Sequence, residues 1–395
     1  MFFQTLDDKS ECVGIYMDGK LIFDSLPGNL THTWNYSGFL KGKDIEYAKI
    51  YCGGKTLDEV CPDSLSSRWE KICSKLRAFM RSFKIADISL EKNCFFDLVP
   101  SRFLLEYCYV KDQICQSVFS SHEKPANYNF QVSLNEVLTQ MRYRGLNINS
   151  KNLFPLLHEP RARRFLKNLN TTSVSCKFNP FGTKTGRLTT EPGSFPILTM
   201  DRKYRCVVEP INDFLVELDF NAAELRTLIA LQGKTQPQED IHEWNIKNVY
   251  RGLVTREEAK KRIFAWLYNP DSKDYLSSRA YDRGSVVQKY FTQGQVRTFW
   301  DKIIPSEERT ALNYIIQSTC AENVLRQMIR VHDYLEDKDS FVAFPVHDSI
   351  ILDLKFEERY LLPEIIKIFG DTALGKFMVN VRAGKDFGNL KKLKL

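Results

Sequence analysis

The chain has 395 residues, 43% hydrophobic and 12% aromatic, enough for two or three domains with sizeable cores. Its formal net charge is +7 and its pI about 8.7, a mild basic excess that is compatible with a polyanionic partner without identifying one. No apolar run approaches membrane-spanning length, and the start, MFFQTLDDKSEC, has no basic stretch leading into an apolar one; both lead to the expectation of a soluble, cytoplasmic protein.

In the N-terminal stretch, CVGIYMDGKLIFD reads as a hairpin around Asp18-Gly19, and YAKIYCGG as a further short strand. RWEKICSKLRAFMRSF places Trp69, Ile72, Leu76, Phe79, Met80 and Phe83 on one helical face. Seven of the ten cysteines lie within the first 115 residues, with no Cys-x-x-Cys and no zinc-like Cys/His spacing; all are expected to be unpaired thiols in a reducing compartment. The polar SSHEKPANYN (120–129) marks a domain boundary, expected between 128 and 129.

SLNEVLTQMRYRG follows, with Ser133 and Glu136 spaced as a capping box, a buried stripe of Leu134, Val137, Leu138 and Met141, and Gly145 as the stop. Arg161, Arg163, Arg164 and Lys167 then form a basic run that suits either a solvated face or phosphate contacts.

FLVELDFNAAELRTLIAL (214–231) changes period in its middle, from a buried strand ending at Asp219 to a helix. FPVHDSIILDL (344–354) reads as strand, tight turn, strand, with Asp348 in the turn. Each Asp alone suits a turn or helix cap. Two carboxylates at neighbouring strand ends would also hold two divalent cations about 4 Å apart, an arrangement that suits phosphoryl transfer, with magnesium as the ion. VTREEAKKRIFAWLYN (254–269) opens with a Thr255/Glu258 capping box, and Arg256, Lys260, Phe264 and Tyr268 recur every four residues. That face suits an amphipathic helix rim, or a grip on a triphosphate with a ring for a base to stack on. In IPSEERTALNYIIQSTCAENVL, Ser306 is placed to cap a helix that presents Arg309, Asn313 and Gln317 at the same spacing.

In this order, TGRLTT (185–190), DFNAAELR (219–226), DIH (240–242), Arg-x3-Lys-x3-Phe-x3-Tyr, Arg-x3-Asn-x3-Gln, VHDS (346–349) and the tail VRAGKDFGNL (381–390), the chain resembles family A DNA polymerases, the group of bacterial DNA polymerase I and many phage replicases, over residues 130–395. The resemblance implies an α/β (α+β) right-hand polymerase: a palm with an antiparallel sheet (181–240 and 300–395), helical fingers (241–299) and a reduced thumb (150–180). It implies a template-directed DNA polymerase that uses two Mg2+ ions, primer–template DNA and dNTPs. Asp219 and Asp348 would be the metal carboxylates, with the Phe220 carbonyl as a further ligand. Arg256 and Lys260 would clamp the triphosphate, Lys260 also protonating the departing pyrophosphate. Phe264 would lie beside the incoming nucleotide, Tyr268 by the templating base and His347 by the primer end. Glu224 would exclude a ribose 2′-OH. Arg187, Arg309, Asn313 and Gln317 would read the minor-groove side of the duplex.

Ser349 stands where the family usually has Glu, and Ala265 and Asn269 where it usually has Gly. The short thumb implies low processivity and dependence on a processivity or replisome partner; the compactness is phage-like. For residues 1–128 the expectation is a degenerate, inactive 3′–5′ exonuclease-like domain of RNase H-like fold, with Asn93, Asp97, Asp112 and the Asp44/Glu46 pair as its remnants. The competing readings are a single-subunit RNA polymerase relative, against which Glu224 argues, and a catalytically inactive primer–template-binding replisome protein, against which the joint presence of Asp219, Asp348, Arg256 and Lys260 argues.

Overall fold

The computed structural model describes residues 1–169 and 174–393, so four residues of the segment 150–180 lie outside the described residues. The chain forms two compact units, Met1–Tyr143 and Arg144–Leu395.

In the first unit, β1 (Gln4–Thr5), β2 (Gly14–Met17) and β3 (Lys20–Phe23) form an antiparallel meander. Its β2–β3 turn is Asp18-Gly19, both at positive φ (47° and 77°), the backbone that a two-residue hairpin turn requires. β4 (His32–Thr33) and β5 (Glu46–Tyr47) pair in parallel, and a parallel bridge from Phe2 to His32 sets them beside β1. The strand expected over YAKIYCGG is corrected: only Tyr47 of that run is in a strand, and α1 (Ala48–Tyr51) takes over directly. A run this short with apolar residues at 47, 48, 50 and 51 satisfies a helical turn as well as a strand.

α2 (Leu57–Val60), α3 (Asp63–Ile85), α4 (Ser101–Ser121) and α5 (Tyr128–Arg144) complete the unit. Trp69, Ile72 and Phe83 of α3 are buried with Phe103, Leu104 and Ile114 of α4, and Leu76 and Phe79 pack half-buried against them. Met80, expected on that face, is 38% exposed. Ser133 is no cap, because α5 begins five residues earlier, where Tyr128 is buried and its hydroxyl accepts the Tyr47 N–H at 2.9 Å. That anchor also keeps α5 with the first unit, so the division falls at 143/144 rather than at 128/129.

Cys12 and Cys94 form a disulfide, with Cα atoms 5.6 Å apart and a sequence separation of 82. This corrects the expectation that every cysteine is a free thiol. The bond lies between two loops already joined: Asp7 accepts the Phe95 N–H at 2.7 Å and Lys9 Nζ donates to the Leu90 carbonyl at 2.9 Å.

The second unit opens with β6 (Asn147–Ile148), α6 (Pro160–Leu169), β7 (Phe178–Asn179), β8 (Thr189–Thr190) and β9 (Val208–Glu209). β10 (Phe214–Phe220) leads into α7 (Ala223–Leu231), α8 (Ile241–Asn248), α9 (Arg256–Tyr268), α10 (Tyr275–Ala280) and α11 (Arg283–Tyr290). A small sheet of β11 (Phe291–Thr292), β12 (Gln295–Arg297) and β13 (Ile303–Pro305) precedes the long α12 (Glu308–Tyr334). The chain closes with β14 (Phe341–Val346), β15 (Ser349–Leu354), α13 (Leu362–Gly370), β16 (Asp371–Thr372), β17 (Gly375–Lys376), β18 (Val379–Gly384) and β19 (Lys391–Lys392). Ser306 does not cap α12; Glu307 occupies the cap position and the Ser306 hydroxyl donates to its carbonyl at 2.8 Å.

The core of this unit is an antiparallel sheet in the order β14-β15-β10-β18-β19. All six residues of β15 are buried, which is why Ile350, Ile351 and Leu352 run consecutively apolar; the buried Asp353 carboxylate accepts the Ile211 and Asn212 N–H groups. α12 packs on β14 and β15, and α13 on β10 and β18; Phe220 of β10 stacks on Phe369 of α13 at 4.3 Å between ring centres. The Gln327 amide ties the two helices by donating to the carbonyls of Ile368, Phe369 and Asp371. Among the described residues no helix is long and apolar enough to cross a membrane.

Thiol titration of the denatured, unreduced chain should find the eight free cysteines, and prior reduction should bring the count to ten. A count of ten without reduction would remove the disulfide.

Candidate active site

β10 lies between β15 and β18, and Asp219 near its end has Ser349 on one side and Asn380 on the other as Cα partners. Val346 pairs with Ser349, leaving His347 and Asp348 as the two-residue turn between β14 and β15, with His347 at φ 54°. The register therefore brings the Asp348 turn beside the Asp219 end of β10. The Ser349 side chain is buried and its hydroxyl donates to the Val346 carbonyl at 3.0 Å, closing the hairpin. Asp219 is not a helix cap: α7 starts after Ala222, which holds a left-handed φ of 52°.

Burial, countered in part by a hydrogen bond from Asn380, and the charges of Glu217 and Asp348 push Asp219 up to about 6. Burial and the Glu224 charge also raise Asp348, against the pull of Arg187 and His347. Both carboxylates are desolvated and raised, Asp219 in part by the Asp348 charge, so added positive charge between them would be stabilising. Among the described residues no group of three or more His, Cys, Asp or Glu is arranged to hold a metal; these two are a pair.

They line a pocket of about 320 Å³ whose other walls carry Phe220, Glu224, Arg256, Lys260 and Phe264. Seven of the residues singled out in the sequence thus meet in one place. α9 is set by the expected capping box: Thr255 accepts the Glu258 N–H, and the Glu258 carboxylate accepts the Thr255 N–H at 2.8 Å. Phe264 and Tyr268, one turn apart, lie with near-parallel rings 6.3 Å apart.

Residues that the sequence reading passed over complete the pocket: Asn221, His242, Asn380 and Arg382. His242 belongs to the DIH motif, which was the signal available for it. Its side chain is buried with Nδ1 lacking a hydrogen-bond partner. Burial, helped by the Arg256 and Lys260 charges and opposed by Asp240, lowers its pKa to about 4, so the ring is neutral at pH 7.

Asp240 joins the pocket walls. It caps α8 by accepting the N–H groups of His242 and Glu243, accepts the Asn221 amide at 2.8 Å and accepts Arg256 Nη2 at 2.7 Å. Behind it, the fully buried Arg226 donates to the carbonyls of Asn221, Pro237 and Glu239. Burial resists ionisation of Asp240, but the Arg256 and Asn221 hydrogen bonds outweigh it and hold the carboxyl down at about 2.

Arg187 lies outside this pocket but is bonded to it through Glu224, at 2.6 Å. Burial and the Glu224 carboxylate raise the Tyr268 phenol well above its ordinary range. The turn before Arg187 contains Gly186 at φ +81°, where an added Cβ would fall 2.8 Å from Lys302 Nζ. Tyr268, Arg309 and Asn313 line a separate cavity of about 740 Å³ bounded also by α11 and β11. Arg309 there is ion-paired with Asp271 at 3.0 Å. His347 shares a small crevice with Arg187, and Gln317 lines none of these three spaces.

The chain is a mixed α/β protein whose fold is similar to that of a polymerase POL domain. Among solved structures, the POL domain of Pol1 from M. smegmatis in complex with DNA primer-template and dNTP matches 72% of this chain and 75% of its own, with a TM-score of 0.55 and 14% identity. At that identity the likeness establishes a shared fold. Over 151 residues, 35% of this chain, the sequence is 24% identical to DNA polymerase I of Borreliella burgdorferi. The match spans 16% of that relative's length. No family model matches the chain.

Folding raises the Asp219 pKa from 3.8 to about 6, so the folded chain keeps this proton longer than the unfolded chain. The associated stability is complete below 3.8 and is lost as the pH rises through about 6, a cost of up to about 3 kcal/mol. Asp219→Asn in chelator-containing buffer should therefore raise the urea midpoint more at pH 7 than at pH 3.5; equal gains would refute the strain. Gly186→Ala should cost about 1 kcal/mol of unfolding free energy by forcing a side chain into left-handed backbone, since the flexible Lys302 end can yield. An unchanged midpoint would show that the turn relaxes.

Proposed function

We propose that the chain is a template-directed DNA polymerase of the family A kind that adds dNTPs to a primer 3′-OH. The observation that carries this reading is the single pocket with Asp219 and Asp348 on the sheet side and Arg256, Lys260 and Phe264 on the helical side. Acid on one wall and base plus ring on the other suit a nucleoside triphosphate presented to a hydroxyl.

The two hard-oxygen carboxylates, short of positive charge, fit Mg2+. Magnesium bound by Asp219 and Asp348, with the Phe220 carbonyl, would lower the pKa of the primer hydroxyl and neutralise the phosphates. The chain's own groups do the rest by positioning. Arg256 and Lys260, one helical turn apart, hold the triphosphate, and Lys260 offers a proton to the pyrophosphate. The orphaned Nδ1 of neutral His242 offers one further hydrogen bond in the same pocket. Phe264 backs the sugar and base. Glu224, pinned by Arg187 and set beside Tyr268, is a fixed wall against a 2′-OH, which favours deoxynucleotides. Arg187, Arg309, Asn313 and Gln317 are assigned to the duplex and His347 to the primer end. On this reading β10, β15 and β18 belong to the palm and α8–α11 to the fingers.

For the first unit we propose an RNase H-like fold without nuclease activity. The strand order β3-β2-β1-β4-β5, joined through the Phe2–His32 bridge, supports the fold. Two of the remnant acids are engaged elsewhere: Asp112 with Gln4 and Gln116, Glu46 with Lys124 and Tyr51.

Extension of a labelled primer on a longer template with Mg2+ tests the reading. The wild type should incorporate dNTPs in preference to rNTPs, and Asp348→Ala should lose about a hundred-fold or more in rate. Template-independent products, or an active Asp348→Ala, would overturn it.

A further inference from the structure

Arg256, assigned above to the triphosphate, does not wait unpartnered. Its guanidinium is held by Asp240 at 2.7 Å, with Glu243 at 3.8 Å and Glu257 at 3.6 Å. Asp240 is the best placed of the three: its side chain is 23% exposed, against 46% for Glu243 and 71% for Glu257. It is also immobilised, because the same carboxylate caps α8 and accepts from Asn221. Asn221 is in turn fixed by the buried Arg226, and its Oδ1 accepts the Ile241 N–H at 2.9 Å. A phosphate entering the pocket meets an arginine whose hydrogen-bonding edge already faces an anion.

We infer that Asp240 is a built-in competitor for Arg256, which releases the guanidinium to an incoming triphosphate and takes it back as the pyrophosphate departs. The inference rests on the triphosphate site proposed above and adds a positioning residue to it. Two consequences follow from one exchange. Binding is weakened by the pair that must be broken, and departure of a highly charged product is eased because the cation regains a partner instead of being left bare. Asp240 does not touch the reacting atoms; it acts on the triphosphate through Arg256, while its cap and its Asn221 bond keep it in place throughout.

The test uses the full chain and sodium tripolyphosphate without added divalent cation, followed by titration calorimetry. Asp240→Asn keeps a helix-capping oxygen and removes the charge together with the second oxygen, which accepts from Arg256 and Asn221. Tripolyphosphate should bind roughly two- to five-fold tighter than to wild type, the range set by a partly exposed ion pair. Glu243→Gln, at the longer distance, should change the affinity less. In an Arg256→Gln background, Asp240→Asn should have no effect, since the competition is over that guanidinium. Under steady state, Asp240→Asn should lower the KM for dNTP and lower kcat with it. No gain from Asp240→Asn, an equal gain from Glu243→Gln, or a gain that survives Arg256→Gln would each overturn the inference. A chain that gains tripolyphosphate affinity but never extends a primer would overturn only the polymerase reading; one that extends primers without the gain would overturn only the role of Asp240.

Discussion

The site depends on the central position of β10 in its sheet. A strand with neighbours on both sides cannot slip without breaking two ladders, and a slip by one residue would turn Asp219 to the opposite face. The register that opposes Asp219 to Ser349 also brings the 347–348 turn alongside it. Two acids are then desolvated together, an arrangement that opposes folding and is sustained by the apolar burial of β15 and the packing of α12 and α13. The small polar residues at the two partner positions are consistent with this crowding. Asn380 gives one hydrogen bond to Asp219 and adds no charge, and Ser349 spends its hydroxyl on the hairpin. A third acid at the Ser349 position would add a further like charge to a pair that is already strained.

The helical wall is organised by different means. Cap and salt-bridge chemistry sets it, with Thr255/Glu258 orienting α9 and Asp240 orienting α8. Because Asp240 also reaches Asn221, just beyond the end of β10, the two walls are connected through polar groups as well as through packing. Arg226, buried entirely, satisfies three loop carbonyls that would otherwise be stranded; it is structural, although it lies in the same motif as Glu224.

Much of this was legible in local pattern. The switch from period two to period 3.6 after Asp219, the polar break in FPVHDSIILDL and the Thr255/Glu258 spacing are short-range signals, and the fold uses each as read. The failures are equally physical. Ser133 and Ser306 have cap-like spacing, but burial of Tyr128 starts α5 early and Glu307 takes the cap of α12. YAKIY is too short for its periodicity to decide. The Cys12–Cys94 pair spans 82 positions and becomes visible only once two loops are brought together. Asn380 and Arg382 enter the pocket through a strand more than 160 positions from Asp219, so no window along the chain contains both.

α12 is an unbroken helix of 27 residues, about 40 Å long at the usual rise. Its C-terminal half is clasped to α13 by Gln327, and its N-terminal half is an arm fixed by its own packing, with Ala311, Leu312, Ile315 and Ile316 buried. From Arg309 to Gln317 that arm advances about 12 Å, close to the height of three and a half stacked base pairs. On the proposed reading the three polar side chains are graduations on one ruler: a lesion or mispair would be felt at fixed distances behind the reacting pair, set by helix pitch and not by loop flexibility.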